Sequence, residues 1–303
     1  MRNKKFKSGF VSIIGRPNVG KSTLLNNILE TKVAIVTPKA QTTRNKIQGI
    51  YTTENEQIIF IDTPGIHKAF NNLGENMNQA AYDSLDGIDA VLLLVDVTKE
   101  FSELDQEIVD RFKKIKEPIF LVLNKIDLVK DDQKVDELIE KYNSIQFKGV
   151  YKISALNNNG VSELLTGIVD VLEEGPQYYP SDQLMDQPER FMVKEIIREK
   201  VLFLTSQEIP YAVAVEVESF KNDLQNPNLI NINATIIVER QSQKKIIIGE
   251  KGSKIKEIGR LSRIDIAKFL GNKVYLELFV KVEADWRNRK HYLIQFGYEN
   301  KKV

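Results

Sequence analysis

Four short runs, in a fixed order along the chain, carry the residue types needed to hold a nucleoside triphosphate. The first is Gly15-Arg16-Pro17-Asn18-Val19-Gly20-Lys21-Ser22-Thr23. It follows an apolar strand-like run and opens a helical pattern, the setting that G-x-x-x-x-G-K-S requires. Its glycines let backbone N–H groups curl around a β-phosphate, and the helix N-terminus adds partial positive charge there. Lys21 reaches the β- and γ-phosphates, and the Ser22 hydroxyl is placed to bind Mg²⁺. The second run, Asp62-Thr63-Pro64-Gly65, ends another apolar strand. A carboxylate there can hold Mg²⁺ through water, and the Gly65 N–H can meet the γ-phosphate. Alone, D-T-P-G is a turn sequence; its distance from the phosphate loop gives it meaning.

The third run is Lys39–Arg44 (KAQTTR), in a polar loop between the first helix and an edge strand. A Thr hydroxyl here can complete the Mg²⁺ shell; Thr43 is favoured over Thr42, and an ordinary Thr-rich loop is the alternative. The fourth, Asn124-Lys125-Ile126-Asp127, also ends an apolar strand. The Asp127 carboxylate can accept hydrogens from guanine N1 and N2, a donor pair that adenine lacks. A wrong base would leave those polar groups unpaired, so discrimination is strong. Asn124 and Lys125 buttress the loop and stack on the base. Ser154-Ala155-Leu156 ends the next strand, where a backbone N–H can meet guanine O6. Together the runs set GTP above ATP.

The elements that must position these runs alternate. Phe10–Ile14, Ile58–Ile61, Ala90–Val95, Ile119–Leu123 and Val150–Ile153 are short and apolar. Polar, periodic stretches lie between them, near 21–29, 75–86, 103–116, 133–143 and 161–172. This is the βαβ order of an α/β domain with a mostly parallel sheet. Lys46–Thr52 reads as an extra antiparallel edge strand. Residues 174–188 hold three Pro, one Gly and no periodicity, and read as a linker. The boundaries are therefore 1–173, 174–188 and 189–303. The last segment shows a helix over Glu189–Leu204. Three alternating strands follow, marked by Tyr211, Val213, Val215 and Val217; by Ile230 to Val238; and by Val274 to Val282. This is a small α+β domain.

Composition narrows the chemistry. Of 303 residues, 42% are hydrophobic and 28% charged, which fits a large core and excludes wholesale disorder. Cys is absent and only His67 and His291 occur, so cysteine nucleophiles and Cys- or His-based metal sites are excluded or nearly so. The longest strongly apolar run, Ala90 to Val95, is far short of the ~20 residues that span a bilayer. No signal peptide is expected. Net charge is +1, but residues 240–290 carry 14 basic against 6 acidic side chains. Such an excess attracts polyanions.

Inside that segment lies Ile247-Ile248-Gly249-Glu250-Lys251-Gly252-Ser253-Lys254-Ile255. Its G-x-x-G resembles the loop of KH modules, which clamps about four nucleotides through their backbone. Lys244, Lys245, Lys251, Lys254 and Arg260 flank it. Glu250 puts a negative charge in the loop, which can weaken phosphate contact or meet a base. Lys245–Ile248 reads locally as strand; the KH pattern makes it the last turn of a helix, and that reading is followed.

Residues 8–172 resemble the translation-factor-related GTPases. GRPNVGKS, TTR, DTPG and NKID fit best the Era branch of bacterial ribosome-assembly GTPases, and a type II KH module completes that architecture. The resemblance implies hydrolysis of GTP to GDP and phosphate with Mg²⁺, with Lys21, Thr43, Gly65 and Asn18 at the reacting end and Ser22, Thr43 and Asp62 around the metal. Many GTPases place a Gln just after D-x-x-G to orient water; here Ile66 stands there, so slow turnover without an activator is expected. His67 beside it reads as a bystander. In related GTPases an Asn at the position of Asn18 helps bind K⁺. The resemblance further implies a monomer, a cytoplasmic location, binding to the 3′ end of small-subunit ribosomal RNA, and peripheral contact with the inner membrane face, for which Trp286–His291 (WRNRKH) has suitable character. Local packing or RNA contact is the preferred reading of that tail. A constitutive RNA binder and a membrane-linked signalling GTPase are the rival readings.

Overall fold

The computed structural model describes residues 5–206 and 208–299; the basic residues before Lys5 lie outside them. The chain forms two compact units. The first comprises Met1–Ala34, Thr43–Phe70 and Gly74–Asp186; the second comprises Ile35–Thr42, Asn71–Leu73 and Gln187–Val303.

The first unit is built on β1 (Lys7–Ile14), α1 (Lys21–Ile28), β2 (Ile47–Thr52), β3 (Glu56–Asp62), α2 (Asn72–Asp83), β4 (Ala90–Asp96), α3 (Glu103–Phe112), β5 (Ile119–Asn124), α4 (Asp132–Lys141), β6 (Gly149–Ile153) and α5 (Val161–Val171). The six strands lie in the order β2-β3-β1-β4-β5-β6. Only β2 is antiparallel, paired to β3 at the sheet edge. β4 and β5 are buried at every position, because helices cover both faces of a parallel sheet. Leu24 and Leu25 of α1 and Leu164 and Ile168 of α5 pack one face. Ala81 of α2, Ile108 and Phe112 of α3 and Leu138 of α4 pack the other. α3 starts at a capping box: Ser102 accepts from the Asp105 N–H, and the Asp105 carboxylate accepts from the Ser102 N–H. This topology puts the ends of β1, β3, β4, β5 and β6 along one edge, where parallel α/β sheets bind ligands.

Part of the stretch read as a linker is fastened along β2. The Ile50 N–H donates to Leu184 O at 2.9 Å, and the Asp186 N–H to Gln48 O at 3.2 Å. The Gln57 side chain, fully buried, accepts from Tyr178 N–H and Tyr179 N–H and donates to Tyr179 O. A strand edge that would otherwise be open is thereby covered.

The second unit contains α6 (Glu189–Leu204), α7 (Ile209–Ala212), β7 (Ala214–Asn222), β8 (Leu229–Val238), α8 (Gln241–Ile248), α9 (Ser253–Leu270), β9 (Lys273–Val282) and α10 (Lys290–Gln295). Its sheet runs β7-β8-β9, antiparallel then parallel. The parallel pair is joined by α8 and α9, and Ile196, Ile197, Ile247, Ile258 and Ile266 fill the core against the sheet. Tyr211, expected in the first strand, lies in α7 instead: Pro210 starts that short helix, and the strand begins three residues beyond Tyr211. Ile246–Ile248 are helical despite their β-branched chains. Ile247 is fully buried while Ile246 is exposed, so packing of one face outweighs local preference.

Candidate functional site

The phosphate loop leaves β1 at Gly15 and enters α1 at Lys21. Gly20 sits at φ 106°, and a Cβ there would fall 2.2 Å from Asn124 Nδ2, so both conformation and space demand glycine. Lys21 is buried, and its ammonium donates to Gly15 O and Arg16 O at 3.3 and 3.0 Å. The cation is thus folded over the mouth of its own loop. Burial lowers its pKa to about 8, against the opposing charge of Asp62. Arg16 turns away: its guanidinium pairs with Asp105 at 2.7 Å and reaches Glu100 O. Its carbonyl belongs to the site, but its side chain does not face it. Val19 is buried beneath the loop, and Asn18 takes a left-handed backbone at φ 63°.

Three oxygens converge at the start of α1. Ser22 Oγ lies 2.6 Å from Asp62 Oδ2 and 2.8 Å from Thr43 Oγ1. Asp62 is fully buried, and its Oδ1 has no hydrogen-bond partner. Burial raises the Asp62 pKa, with Lys21 and the Ser22 hydroxyl pulling the other way. An orphaned carboxylate oxygen beside two hydroxyls is a donor set of the kind Mg²⁺ takes. Thr42, the alternative to Thr43, spends its hydroxyl on Lys39 O and Thr37 Oγ1.

Thr63 is fully buried, and its hydroxyl goes to Ile13 O at 2.8 Å, bracing β3 on β1. After Pro64, Gly65 lies so close to the phosphate loop that a Cβ would meet Pro17 Cα at 2.6 Å. The Ile66 N–H donates to Gly15 O, and His67 Nδ1 bonds Gly65 O at 2.9 Å. Ile66 is buried at 2% exposure, so it cannot meet water. Burial also lowers the His67 pKa, which favours a neutral ring.

At the other end, Asn124 bridges two loops. Its Nδ2 donates to Val19 O at 2.7 Å, and its Oδ1 accepts from the Ala155 N–H at 2.9 Å. Lys125 donates to Asn18 O and to Asp96 Oδ2, at 2.8 and 2.6 Å. Burial would raise Asp96, but hydrogen bonds from Lys125 and Thr98 outweigh it and hold the carboxyl low. Asp127 is exposed in a single 3₁₀ turn, and Leu156 is 75% exposed beyond buried Ser154 and Ala155. Two contributors escaped the sequence reading. Asp96 anchors Lys125, and Asn27 donates to Ala155 O at 2.8 Å. An acid at the end of the most apolar strand was a usable signal for the first; nothing local marks the second.

In the second unit, α8 ends at Gly249 (φ 74°), and a 3₁₀ turn over Glu250–Gly252 leads into α9. A Cβ on Gly249 would meet Lys254 N at 2.9 Å, whereas nothing lies within 4 Å of one on Gly252 (φ 79°). Glu250 and Lys251 point into solvent, with Lys245 exposed and Lys244 and Lys254 half-buried around them. Among the described residues, no ion pair occupies these four lysines. Arg260 differs: it forms a two-pronged pair with Glu257 at 2.7 and 2.8 Å. Trp286 is fully buried, with Nε1 donating to Ala212 O, so its indole is part of the core. No described helix is long and apolar enough to cross a membrane.

A phosphate loop, a buried carboxylate beside two hydroxyls and a loop ending in N-K-x-D define a GTPase site, here followed by a G-x-x-G module. Residues 10–125 match the family described as 50S ribosome-binding GTPase, and residues 208–287 match the KH domain family. The chain is 43% identical to Era in a crystal structure with MgGDPNP and nucleotides 1506–1542 of 16S ribosomal RNA; the match covers 97% of this chain and 99% of that one, at TM-score 0.92. It is 42% identical to a point variant of Aquifex aeolicus Era bound to GDP·AlF4⁻, over 97% and 99% of the two chains, at TM-score 0.91. The chain belongs to the Era family of GTPases. It is a GTP hydrolase joined to a KH-type RNA-binding module.

Proposed function

We propose that this protein binds the 3′-end region of 16S ribosomal RNA and acts in assembly of the small ribosomal subunit, with GTP setting when it binds and hydrolysis timing its release. The observation that carries this is likeness along the whole chain, KH module included, to an Era bound to that RNA segment. The large-subunit wording of one matching family applies to the GTPase part alone. It does not weigh against a match through both units.

The roles follow from the geometry. Backbone N–H groups within 15–23, Pro17 having none, hold the phosphates, and binding draws Lys21 off its own loop carbonyls onto them. Ser22, Thr43 and Asp62 hold Mg²⁺, which neutralises charge on the phosphate oxygens. The Gly65 N–H faces the γ-phosphate. Asp127 reads guanine N1 and N2, a backbone N–H of the Ser154–Leu156 loop meets O6, and Asn124, which takes the Ala155 N–H, keeps that loop and the phosphate loop in register. Ile66 is buried and apolar, so the chain supplies no side chain there to orient water. Turnover alone is therefore slow. Asn18, in the phosphate loop, supports a K⁺ beside the phosphates as partial substitute for a catalytic cation; equal rates in K⁺ and Na⁺ buffers would remove it. In the second unit, Lys244, Lys245, Lys251 and Lys254 meet RNA phosphates at the loop from Gly249 to Gly252.

The protein works as a cytoplasmic monomer in this reading. Peripheral membrane contact would rest on the basic residues Arg289 and Lys290 rather than on buried Trp286, and sedimentation with anionic vesicles in the absence of RNA tests it. The main reading is tested by pulling the protein from extract with GTP or GDP bound and sequencing the protected RNA. Enrichment of the 16S 3′ end in the GTP state supports it. Recovery of no RNA would overturn it.

A further inference from the structure

We infer that Asn78 of α2 is a positioning residue for GTP hydrolysis, acting through the His67 ring on the peptide between Gly65 and Ile66. The inference rests on the Gly65 N–H facing the γ-phosphate, as proposed above. His67, Gly74, Asn78 and the phosphate loop all lie in the first compact unit. Asn78 grips one residue from both sides. Its Oδ1 accepts from the His67 N–H at 3.1 Å, and its Nδ2 donates to the His67 carbonyl at 2.7 Å. The ring turns back onto the D-T-P-G run, with Nδ1 2.9 Å from Gly65 O. A carbonyl only accepts, so Nδ1 carries the hydrogen. In the neutral ring that burial favours, Nε2 is then the bare nitrogen. Nε2 is buried without a hydrogen-bond partner, and a Cβ on Gly74 would fall 3.2 Å from it. The ring is thus wedged between α2 and the turn. Asn is a poor helix former, and Asn78 stands in the middle of α2. Its double contact with His67 offsets that local disadvantage.

The Gly65–Ile66 peptide is therefore held at both ends. Its carbonyl accepts from His67, and its N–H donates to Gly15 O of the phosphate loop at 3.1 Å. Glycine has the widest backbone freedom, so an unbraced Gly65 would aim its N–H in many directions. Holding the peptide that follows fixes ψ of Gly65, and the close approach to Pro17 confines the residue from the other side. A donor aimed before the reaction stabilises charge on the transferring oxygens without reorganising. Such aim matters more here than in a GTPase with Gln after D-x-x-G, because Ile66 is buried and brings no polar side chain. Lys21 also bonds to Gly15 O. When nucleotide draws Lys21 away, the Ile66 N–H keeps that carbonyl, so the brace outlasts binding.

The test compares Asn78→Ala, His67→Leu and His67→Asn with the parent, each as the full chain. His67→Leu removes the Nδ1 donor at similar bulk. His67→Asn keeps an N–H close to where Nδ1 stands and has no ring to take a proton. The readouts are the single-turnover rate of GTP hydrolysis with Mg²⁺, the affinity for GDP with AlF4⁻, which stands for the phosphoryl group in transfer, and the affinity for GDP alone. Asn78→Ala and His67→Leu should each slow hydrolysis about tenfold and weaken GDP·AlF4⁻ binding by a similar factor, with GDP affinity unchanged. His67→Asn should keep the parent's rate. Parent rates in Asn78→Ala and His67→Leu would overturn the inference. So would an equal fall in GDP affinity, the mark of a role confined to folding. A His67→Asn variant as slow as His67→Leu would remove the Gly65 contact as the route. Gly65→Ala separates the brace from the reading beneath it. A full rate in Gly65→Ala would sink the γ-phosphate contact itself, whereas a slow Gly65→Ala beside a full-rate Asn78→Ala would sink the brace alone.

Discussion

The loop from Gly15 to Ser22 buries its lysine; the loop from Gly249 to Lys254 leaves its lysines in or near water. Both are glycine loops that open a helix, and in the function proposed above both take phosphate. In the first, Lys21 is bonded to loop carbonyls, Asn124 fixes the loop from the side, and a Cβ on Gly20 or Gly65 would collide with its surroundings. In the second, nothing lies within 4 Å of where a Gly252 Cβ would be. The first is an enclosed seat for one small ligand, whose shape and polarity must match. The second is an open, charged lip along which a chain of phosphates can lie. Specificity on the first side comes from buried partners that a wrong ligand leaves unpaired. On the second it comes mostly from charge, so it is salt-dependent.

Substitutions sharpen the contrast. The largest effect is expected for Lys21→Ala: GTP affinity should fall about 100-fold or more, because charge-assisted bonds to phosphate are lost. RNA binding by the second unit's loop should persist at no less than the parent's GDP-state affinity, because the loop itself is untouched; complete loss of both, measured by titration, would break the contrast. Next comes Asp127→Asn, expected to exchange guanine preference for xanthine by about 100-fold in competition binding. Unchanged guanine preference would remove Asp127 as base reader.

Gly252→Asp should cost about tenfold or more in RNA affinity and nothing in GTP affinity. Nothing lies within 4 Å of the new Cβ, but φ 79° strains any L side chain, so unchanged thermal melting of the variant is the control that assigns the loss to phosphate approach rather than to folding. Normal RNA affinity in this variant would sink the KH loop as the contact. A pH effect of similar size belongs to the enclosed loop alone. Burial lowers the Lys21 pKa to about 8 in the free protein, and bound phosphate favours the charged form. Nucleotide affinity should therefore be full below pH 8 and fall by up to about tenfold per unit as pH rises above it. Calorimetry in two buffers at pH 9 should show proton uptake on binding. The smallest effect is the salt slope. Lys251→Ala or Lys254→Ala should each reduce the slope of log affinity for RNA against log salt by about 0.7.

The two loops also differed in how far the sequence exposed them. Three of the nucleotide runs are readable because each is a local backbone device at a strand end, fixed by Gly, Pro or short polar residues; the Thr-rich loop 39–44 takes its meaning from its place between them. The parallel sheet and α6, with its bounds at Glu189 and Leu204, were readable from periodicity. What escaped depends on partners far away in sequence. Arg16 turning to Asp105, Lys125 leaning on Asp96 and the 178–186 stretch fastened to β2 leave no local trace. Nor does the capture of 35–42 by α6, across more than 150 residues. Tyr211 falls outside the strand because a short helical turn containing Pro210 interrupts an alternating pattern that otherwise reads as strand.

The central claim is that the seat for GTP governs the lip for RNA. Its most direct test is the affinity of the parent protein for a 16S 3′-end oligonucleotide, measured with GDPNP and then with GDP at the same Mg²⁺ and salt. Binding should be at least about tenfold tighter with GDPNP. Equal affinities in the two states would contradict the claim and leave a constitutive RNA binder that also hydrolyses GTP.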